Sequence, residues 1–223
     1  MKRMLIIVSL AGFALAALAV DKVDLENRLR LFAAKFEEMQ AKPDKAVPAD
    51  ILRRACGIIL LHRVKGGLVF GYQGGSGVAM VKDSKTGAWS PPAFMKSNEG
   101  SFGAQIGGQT SFTVILLMNT NATSLLTQPT FTFGGEAAGT GGNAHAKEES
   151  TSSTAEQLTL VYTDAAGLYG GATVKGGSLA PDTDANVAYY GEFLTAAEIL
   201  SGNKAHPTQA ATSLGNEITR LSK

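Results

Sequence analysis

Few of the residue types that carry enzyme chemistry stand close together in this sequence. The three histidines, His62, His145 and His206, are far apart, and Cys56 is the only cysteine. The zinc motif HExxH, the redox motif CxxC and the nucleophile motif GxSxG are all missing. Cys56 precedes the apolar run GIILL, which favours a small buried residue over a nucleophile. The sequence therefore predicts a protein that is not an enzyme, with no catalytic residue, no metal site and no cofactor.

A glycine cluster at residues 71–77, GYQGGSG, is a second place where binding chemistry could arise. Successive backbone N–H groups in such a segment can form a nest that holds a phosphate. The cluster is not a Walker loop, because no Gly-Lys-Ser/Thr follows. It is not a dinucleotide fingerprint either, because the strand-like GVAMVK follows where a helix is needed. We favour an ordinary hairpin connection over a phosphate nest.

Basic residues are concentrated between Asp50 and Asp83, a stretch that contains no acidic residue. They are Arg53, Arg54, Arg63, Lys65 and Lys82. If their side chains converge they would attract anionic head groups, whereas charges spread over different faces would only be solvated. The net charge of the whole chain is +1, which gives no reason to expect nucleic acid as a partner.

Residues 24–40 have the pattern of an amphipathic helix. An apolar stripe at helical spacing consists of Leu25, Leu29, Phe32, Phe36 and Met39. The stripe is typical of a helix packed on a core, and a helix lying in a membrane interface is the alternative. Charges of both signs occupy the other faces, which weakens the alternative.

The first nineteen residues have the three parts of an export signal. Lys2 and Arg3 form the positive region, residues 5–18 are apolar, and Ala17-Leu18-Ala19 is a small-x-small cleavage site. The apolar run is shorter than the roughly 20 residues that span a bilayer. We therefore expect cleavage after Ala19, a single domain over residues 20–223, and a periplasmic or secreted protein.

The remaining sequence predicts strands joined by tight turns. Short apolar or alternating runs such as GIILLHRV, GLVFGY and GVAMVK are separated by glycines, and TSFTVILLM is a longer β-favouring run. Thr195 to Glu198 forms a capping box, and residues 209–221 predict a terminal helix. The fold class expected is α+β, with a mostly antiparallel curled sheet, a barrel or a sandwich, and helices from both ends of the chain packed on it.

The order of these motifs resembles the SYLF domain, a lipid-binding family of bacterial exported proteins and eukaryotic membrane-trafficking adaptors. The resemblance covers roughly residues 25–202. It is carried by ILRRACG at 51–57, KGGLVFG at 65–71, GAWSPP at 87–92, GSFGAQIGGQ at 100–109, AGLYGGA at 166–172, and Asn186 with YYG at 189–191.

The resemblance implies a non-catalytic domain that binds lipid or a membrane surface, which the export signal would place in the bacterial cell envelope. An anionic lipid surface is the expected partner, and no actin is expected for an exported chain. The candidate lipid-binding residues are Leu25, Leu29, Phe32, Phe36, Arg53, Arg54, Arg63, Lys65 and Lys82. A structural or protein-interaction module without lipid affinity is the alternative.

Overall fold

Eight antiparallel strands form one curled sheet in the part of the chain that the structure, a computed structural model, describes. The described residues are 20–67, 70–102, 107–133, 149–150, 159–169, 177–202 and 204–223. The strands are β1 (Gly57–Gly67), β2 (Phe70–Val81), β3 (Ala93–Phe102), β4 (Gly107–Leu117), β5 (Phe131–Phe133), β6 (Glu149–Ser150), β7 (Thr159–Tyr169) and β8 (Gly177–Pro181). Their order in the sheet is β5-β8-β3-β2-β1-β4-β7-β6. The export signal predicted at residues 1–19 lies outside the described residues.

Helices cover both faces of this sheet. They are α1 (Lys22–Gln40), α2 (Ala49–Arg54), α3 (Thr120–Thr123), a 3-10 helix (Ser124–Thr127), α4 (Thr183–Tyr190), α5 (Ala196–Leu200) and α6 (Gln209–Leu221). Side chains alternate along β1, so that Ile58 and Leu60 face the layer of α1, α4 and α6. Ile59 and Leu61 face the layer of α3, the 3-10 helix and α5. The predicted α+β class, with an antiparallel curled sheet and packed terminal helices, is confirmed.

Helix α1 begins with a side-chain cap and buries one apolar stripe. The Asp21 carboxylate accepts a hydrogen bond of 2.8 Å from the Asp24 N–H, which satisfies one of the free donors of the first turn. The stripe packs on the sheet and on α6, and each member is fully buried: Leu25, Leu29, Phe32, Phe36 and Met39. Of the two interpretations of this pattern, the helix packed on the core is the one that the structure contains.

The glycine cluster at residues 71–77 lies within β2 and is not a hairpin connection. Its pairing with β1 runs without interruption from Gly71 to Gly77. A Cβ at Gly75 would lie 2.8 Å from the His62 carbonyl oxygen and 2.9 Å from Cγ of Arg63. Because glycine has no side chain, β2 accepts the side chains of β1 across its surface at this point.

The side chain of Asn186 joins helix α4 to β3 through two hydrogen bonds with the backbone of Phe94. Oδ1 of Asn186 accepts a hydrogen bond of 2.8 Å from the Phe94 N–H, and Nδ2 donates one of 3.1 Å to the Phe94 carbonyl. The Tyr189 ring packs against the Phe94 ring with 4.9 Å between their centres. Tyr189 and Tyr190 lie in the last turn of α4.

Glu198 in the capping box of α5 should make the free energy of unfolding depend on pH. Hydrogen bonds from the Lys204 ammonium, and then from Thr195, lower the pKa of Glu198 from 4.5 to about 2. Because the pKa is lower in the folded state, the stabilisation is fully present above about pH 4.5 and is lost as the pH falls through 2.

The variant Glu198→Gln should therefore unfold at lower urea concentration than the wild type above about pH 5. The difference should shrink as the pH falls and vanish only below pH 2, because at pH 2 the wild-type carboxyl is still about half ionised. Urea unfolding followed by circular dichroism across this range measures it. A difference that stayed constant down to pH 2 would contradict the assignment.

Candidate binding surface

Three of the five predicted basic residues meet at one end of the sheet, and we call Arg53, Arg54 and Lys82 the basic edge. Arg53 and Arg54 are exposed at the C-terminal end of α2, just before β1 begins. Lys82 follows the last residue of β2, and its ammonium donates a hydrogen bond of 2.9 Å to the Arg53 carbonyl. This bond ties the end of β2 to α2 and places Lys82 beside the helix turn that carries Arg53 and Arg54.

Lys82 is held in place by an aromatic ring. Its Nζ lies 4.8 Å from the centre of the Trp89 ring, a cation–π distance, and the two residues also form a β-bridge. Burial lowers the pKa of Lys82, and the nearby Cys56 partly opposes that effect. Trp89 therefore orients one cation of the basic edge.

Acidic groups of the protein neutralise only a small part of the positive charge of the basic edge. Arg54 forms an exposed ion pair of 3.5 Å with Asp50, and such pairs contribute little. Arg53 forms no ion pair with any described residue. The nearby Asp83 carboxylate is engaged by Thr86 and Lys85 in its own turn, contacts that lower the pKa of Asp83. Positive charge on Arg53 therefore remains available to a partner.

Arg63 and Lys65 do not join the basic edge. They lie opposite Gly75 and Gln73 in the ladder, six and eight residues along β1 from Gly57. At about 3.3 Å per residue this places them roughly 20 and 26 Å from the end of the sheet where α2 lies. Arg63 is also buried, with 2% of its surface exposed, and both residues face away from α1. Their separation follows from strand register, which sequence alone does not specify.

The four predicted apolar contacts, Leu25, Leu29, Phe32 and Phe36, have no exposed surface in this structure. The rings of Phe32 and Phe112 lie 6.2 Å apart beneath α1. Each buried side chain of this size contributes about 2 kcal/mol, so exposing all four would cost roughly 8 kcal/mol. That is comparable with the whole stability of a typical domain, about 5–15 kcal/mol. A lipid can reach this stripe only if α1 leaves the sheet.

An open pocket lies between the C-terminal half of α1 and strands β1, β4 and β7. On one wall the Lys42 ammonium lies 2.8 Å from Glu38 and 2.7 Å from Asp164, and these bonds raise its pKa. On the other wall lies His62, whose pKa is lowered by burial and then by the charge of Lys35. The sequence analysis missed this site because Lys42 and Asp164 are separated by 122 positions and match no motif.

Two classes of site are not found in the described residues. No group of three or more histidine, cysteine, aspartate or glutamate side chains there could hold a metal ion. Among the helices of the described ranges, none combines the length and apolar character needed to cross a membrane.

Comparison with known proteins identifies the family. A sequence model described as Ysc84, Las17-binding protein actin regulator, matches residues 98–221, more than half of the chain. The chain belongs to the Ysc84 family. This is the family of the SYLF domain, so the resemblance found in the sequence is confirmed. No solved structure gives a significant match.

Relatives from yeast and mammals share this domain. LAS seventeen-binding protein 3 of Saccharomyces cerevisiae is 30% identical over 78% of this chain and 40% of the relative. Protein YSC84 of the same yeast is 30% identical over 80% of this chain and 40% of the relative. The SH3 domain-containing YSC84-like protein 1 of Rattus norvegicus is 27% identical, over 79% and 53%. The chain thus spans about two-fifths to one-half of the length of these relatives.

The comparisons correct one expectation about partners. The sequence analysis expected no actin, on the ground that the chain is exported. The matched family is described as an actin regulator, and one of its yeast members is named for binding Las17. The expectation that excluded actin is therefore wrong. Members of the family are described as binding proteins and not as enzymes.

Proposed function

We propose that this protein is a non-catalytic domain that binds an anionic lipid or membrane surface through its basic edge. The observation that carries the proposal is the location of Arg53, Arg54 and Lys82 at one end of the sheet, where Lys82 donates a hydrogen bond of 2.9 Å to the Arg53 carbonyl. Each basic group near an anionic surface contributes about 1 kcal/mol. Three such groups give weak, salt-sensitive attachment that leaves the fold intact.

We further propose that this binding takes place in the bacterial cell envelope. Support comes from the pattern of residues 1–19, in which Lys2 and Arg3 precede an apolar run and Ala17-Leu18-Ala19. The mass of the protein recovered from envelope fractions tests this proposal. A species beginning at Val20 is expected, and a cytoplasmic protein retaining Met1 would overturn it.

Sedimentation with phosphatidylglycerol vesicles at low salt tests the membrane proposal. We expect the wild type to sediment, and the double variant Arg53→Gln/Arg54→Gln to bind about 30-fold more weakly, because it loses about 2 kcal/mol of attraction. The double variant Arg28→Gln/Lys223→Gln removes the same charge elsewhere and should bind like the wild type. Equal loss in both variants would show a dependence on net charge alone. No sedimentation of the wild type would refute membrane binding.

A protein partner is the second candidate, and the description of the family favours it. Because related proteins are named as Las17-binding proteins and actin regulators, filaments of actin are a reasonable probe. Co-sedimentation with filamentous actin, beside inert vesicles, would support a protein-interaction module in place of a lipid-binding one. The same variants of the basic edge then report whether the two activities share a surface.

A further inference from the structure

The register of the three central strands places a row of hydrogen-bond donors across the sheet. Ser76 of β2 lies directly opposite His62 of β1 on one side and Lys96 of β3 on the other. Residues directly opposite in an antiparallel pair point to the same face, with their Cβ atoms about 4.5–5.5 Å apart. Lys96, Ser76 and His62 therefore stand side by side across neighbouring strands.

This row faces the layer of α1. His62 follows Ile58 and Leu60 at two-residue steps along β1, and both of these pack in the core beneath α1. From α1, Lys35 lines the same pocket as His62, and its charge acts on the imidazole. We call these four residues, Lys35, His62, Ser76 and Lys96, the donor row. All four side chains are half-buried.

The side chains of the donor row have no hydrogen-bond or ion-pair partner among the described residues. Two carboxylates, Glu38 and Asp164, line the pocket together with Lys35 and His62, and both are bound to Lys42, at 2.8 and 2.7 Å. Asp164 is also separated from His62 by Phe112 in the ladder, two strand spacings or about 10 Å away.

We propose that the donor row binds an oxyanion of the phosphate-monoester class. Two ammonium groups, a hydroxyl and an imidazole are donors, and a phosphate monoester offers three oxygen acceptors and close to two negative charges. An anion above Ser76 lies between Lys96 and His62, with Lys35 reaching it from α1. The two carboxylates of the pocket wall, Glu38 and Asp164, are both paired with Lys42, which offsets their repulsion of the anion.

This site is distinct from the basic edge. His62 lies five residues along β1 from Gly57, so the two sites are separated by about 17 Å along the strand. Each can therefore be removed without the other. His62 also serves as a reporter, because a bound anion stabilises the imidazolium and raises its pKa, opposite to the effect of burial and of Lys35.

Histidine NMR spectra of the purified full chain, titrated with inorganic phosphate at constant ionic strength, test the proposal. We expect a saturable shift of the His62 resonances and a higher His62 pKa, with His206 unaffected. Lys96→Gln and Lys35→Gln should each weaken phosphate binding about tenfold or more, whereas Lys223→Gln should not. No saturable response, or the same response to chloride, would overturn the proposal.

Two further measurements distinguish a lipid phosphate from a soluble phosphate, and the donor row from the basic edge. Vesicles containing phosphatidic acid, a phosphomonoester lipid, should compete with inorganic phosphate if the natural ligand is a head group, whereas phosphatidylglycerol vesicles should not. If neither vesicle competes, the ligand is a soluble phosphate. Arg53→Gln/Arg54→Gln should leave the phosphate response of His62 unchanged. Loss of that response in the double variant would overturn the independence of the donor row.

Discussion

Replacing Asn186 by alanine is expected to destabilise the protein by about 2–4 kcal/mol, which lowers the melting temperature by roughly 5–15 °C. The substitution removes both hydrogen bonds to Phe94 and leaves the buried Phe94 N–H without its acceptor. The Phe94 carbonyl keeps a bond of 2.9 Å from the Asp182 N–H, so the loss falls mainly on the donor. Thermal and urea unfolding measure the effect.

Two controls distinguish the hydrogen bonds from packing. Asn186→Leu keeps the side-chain volume but cannot bond to Phe94, so it should be as unstable as the alanine variant. Asn27→Ala makes the same change on the exposed face of α1 and should stay within about 0.5 kcal/mol of the wild type. A leucine variant as stable as the wild type would show that Asn186 only fills space.

The second large effect is expected from the apolar stripe of α1. Phe32→Ala should cost about 3–5 kcal/mol, because Phe32 is fully buried against Phe112 and the sheet. The adjacent Leu31 points away from the core and is 46% exposed. Leu31→Ala should therefore change the free energy of unfolding by no more than about 0.5 kcal/mol. Urea unfolding compares the two.

The same pair tests whether the stripe contacts lipid. If Phe32 acts at a membrane, its alanine variant should lose vesicle binding while the free energy of unfolding is little changed. If Phe32 belongs to the core, a folded Phe32→Ala protein at low temperature should bind vesicles like the wild type. We expect the second result, because exposing the stripe would cost roughly 8 kcal/mol.

Much of the fold follows from local patterns in the sequence. The stripe of α1 was predicted residue by residue, because helical spacing and burial on one face coincide there. The capping box at Thr195 and Glu198 was predicted because its two hydrogen bonds join residues only three apart. The strands were predicted better in position than in length. The runs GLVFGY and GVAMVK were expected to be separate strands, and β2 runs unbroken over Phe70–Val81.

The features that the sequence analysis missed depend on distant residues. Asn186 contacts Phe94, which is 92 positions away in the sequence, and nothing in the residues near Asn186 predicts that contact. The basic residues were predicted as one possible cluster, and their division into two groups depends on the register of β1 and on the position of α2. The donor row has the same origin, since His62, Ser76 and Lys96 become neighbours only through strand pairing.

The packing of α1 on α6 has a consequence for the order of events during synthesis. α1 is synthesised well before α6, residues 209–221, against which it mainly packs, with Glu37 and Arg220 joined by a bond of 2.7 Å. Because the ribosome adds about 5–20 residues per second, roughly ten seconds or more pass between the synthesis of α1 and that of α6. During that time the apolar stripe of α1 is incompletely covered, so we expect α1 to be the segment of the nascent chain that most needs protection from aggregation.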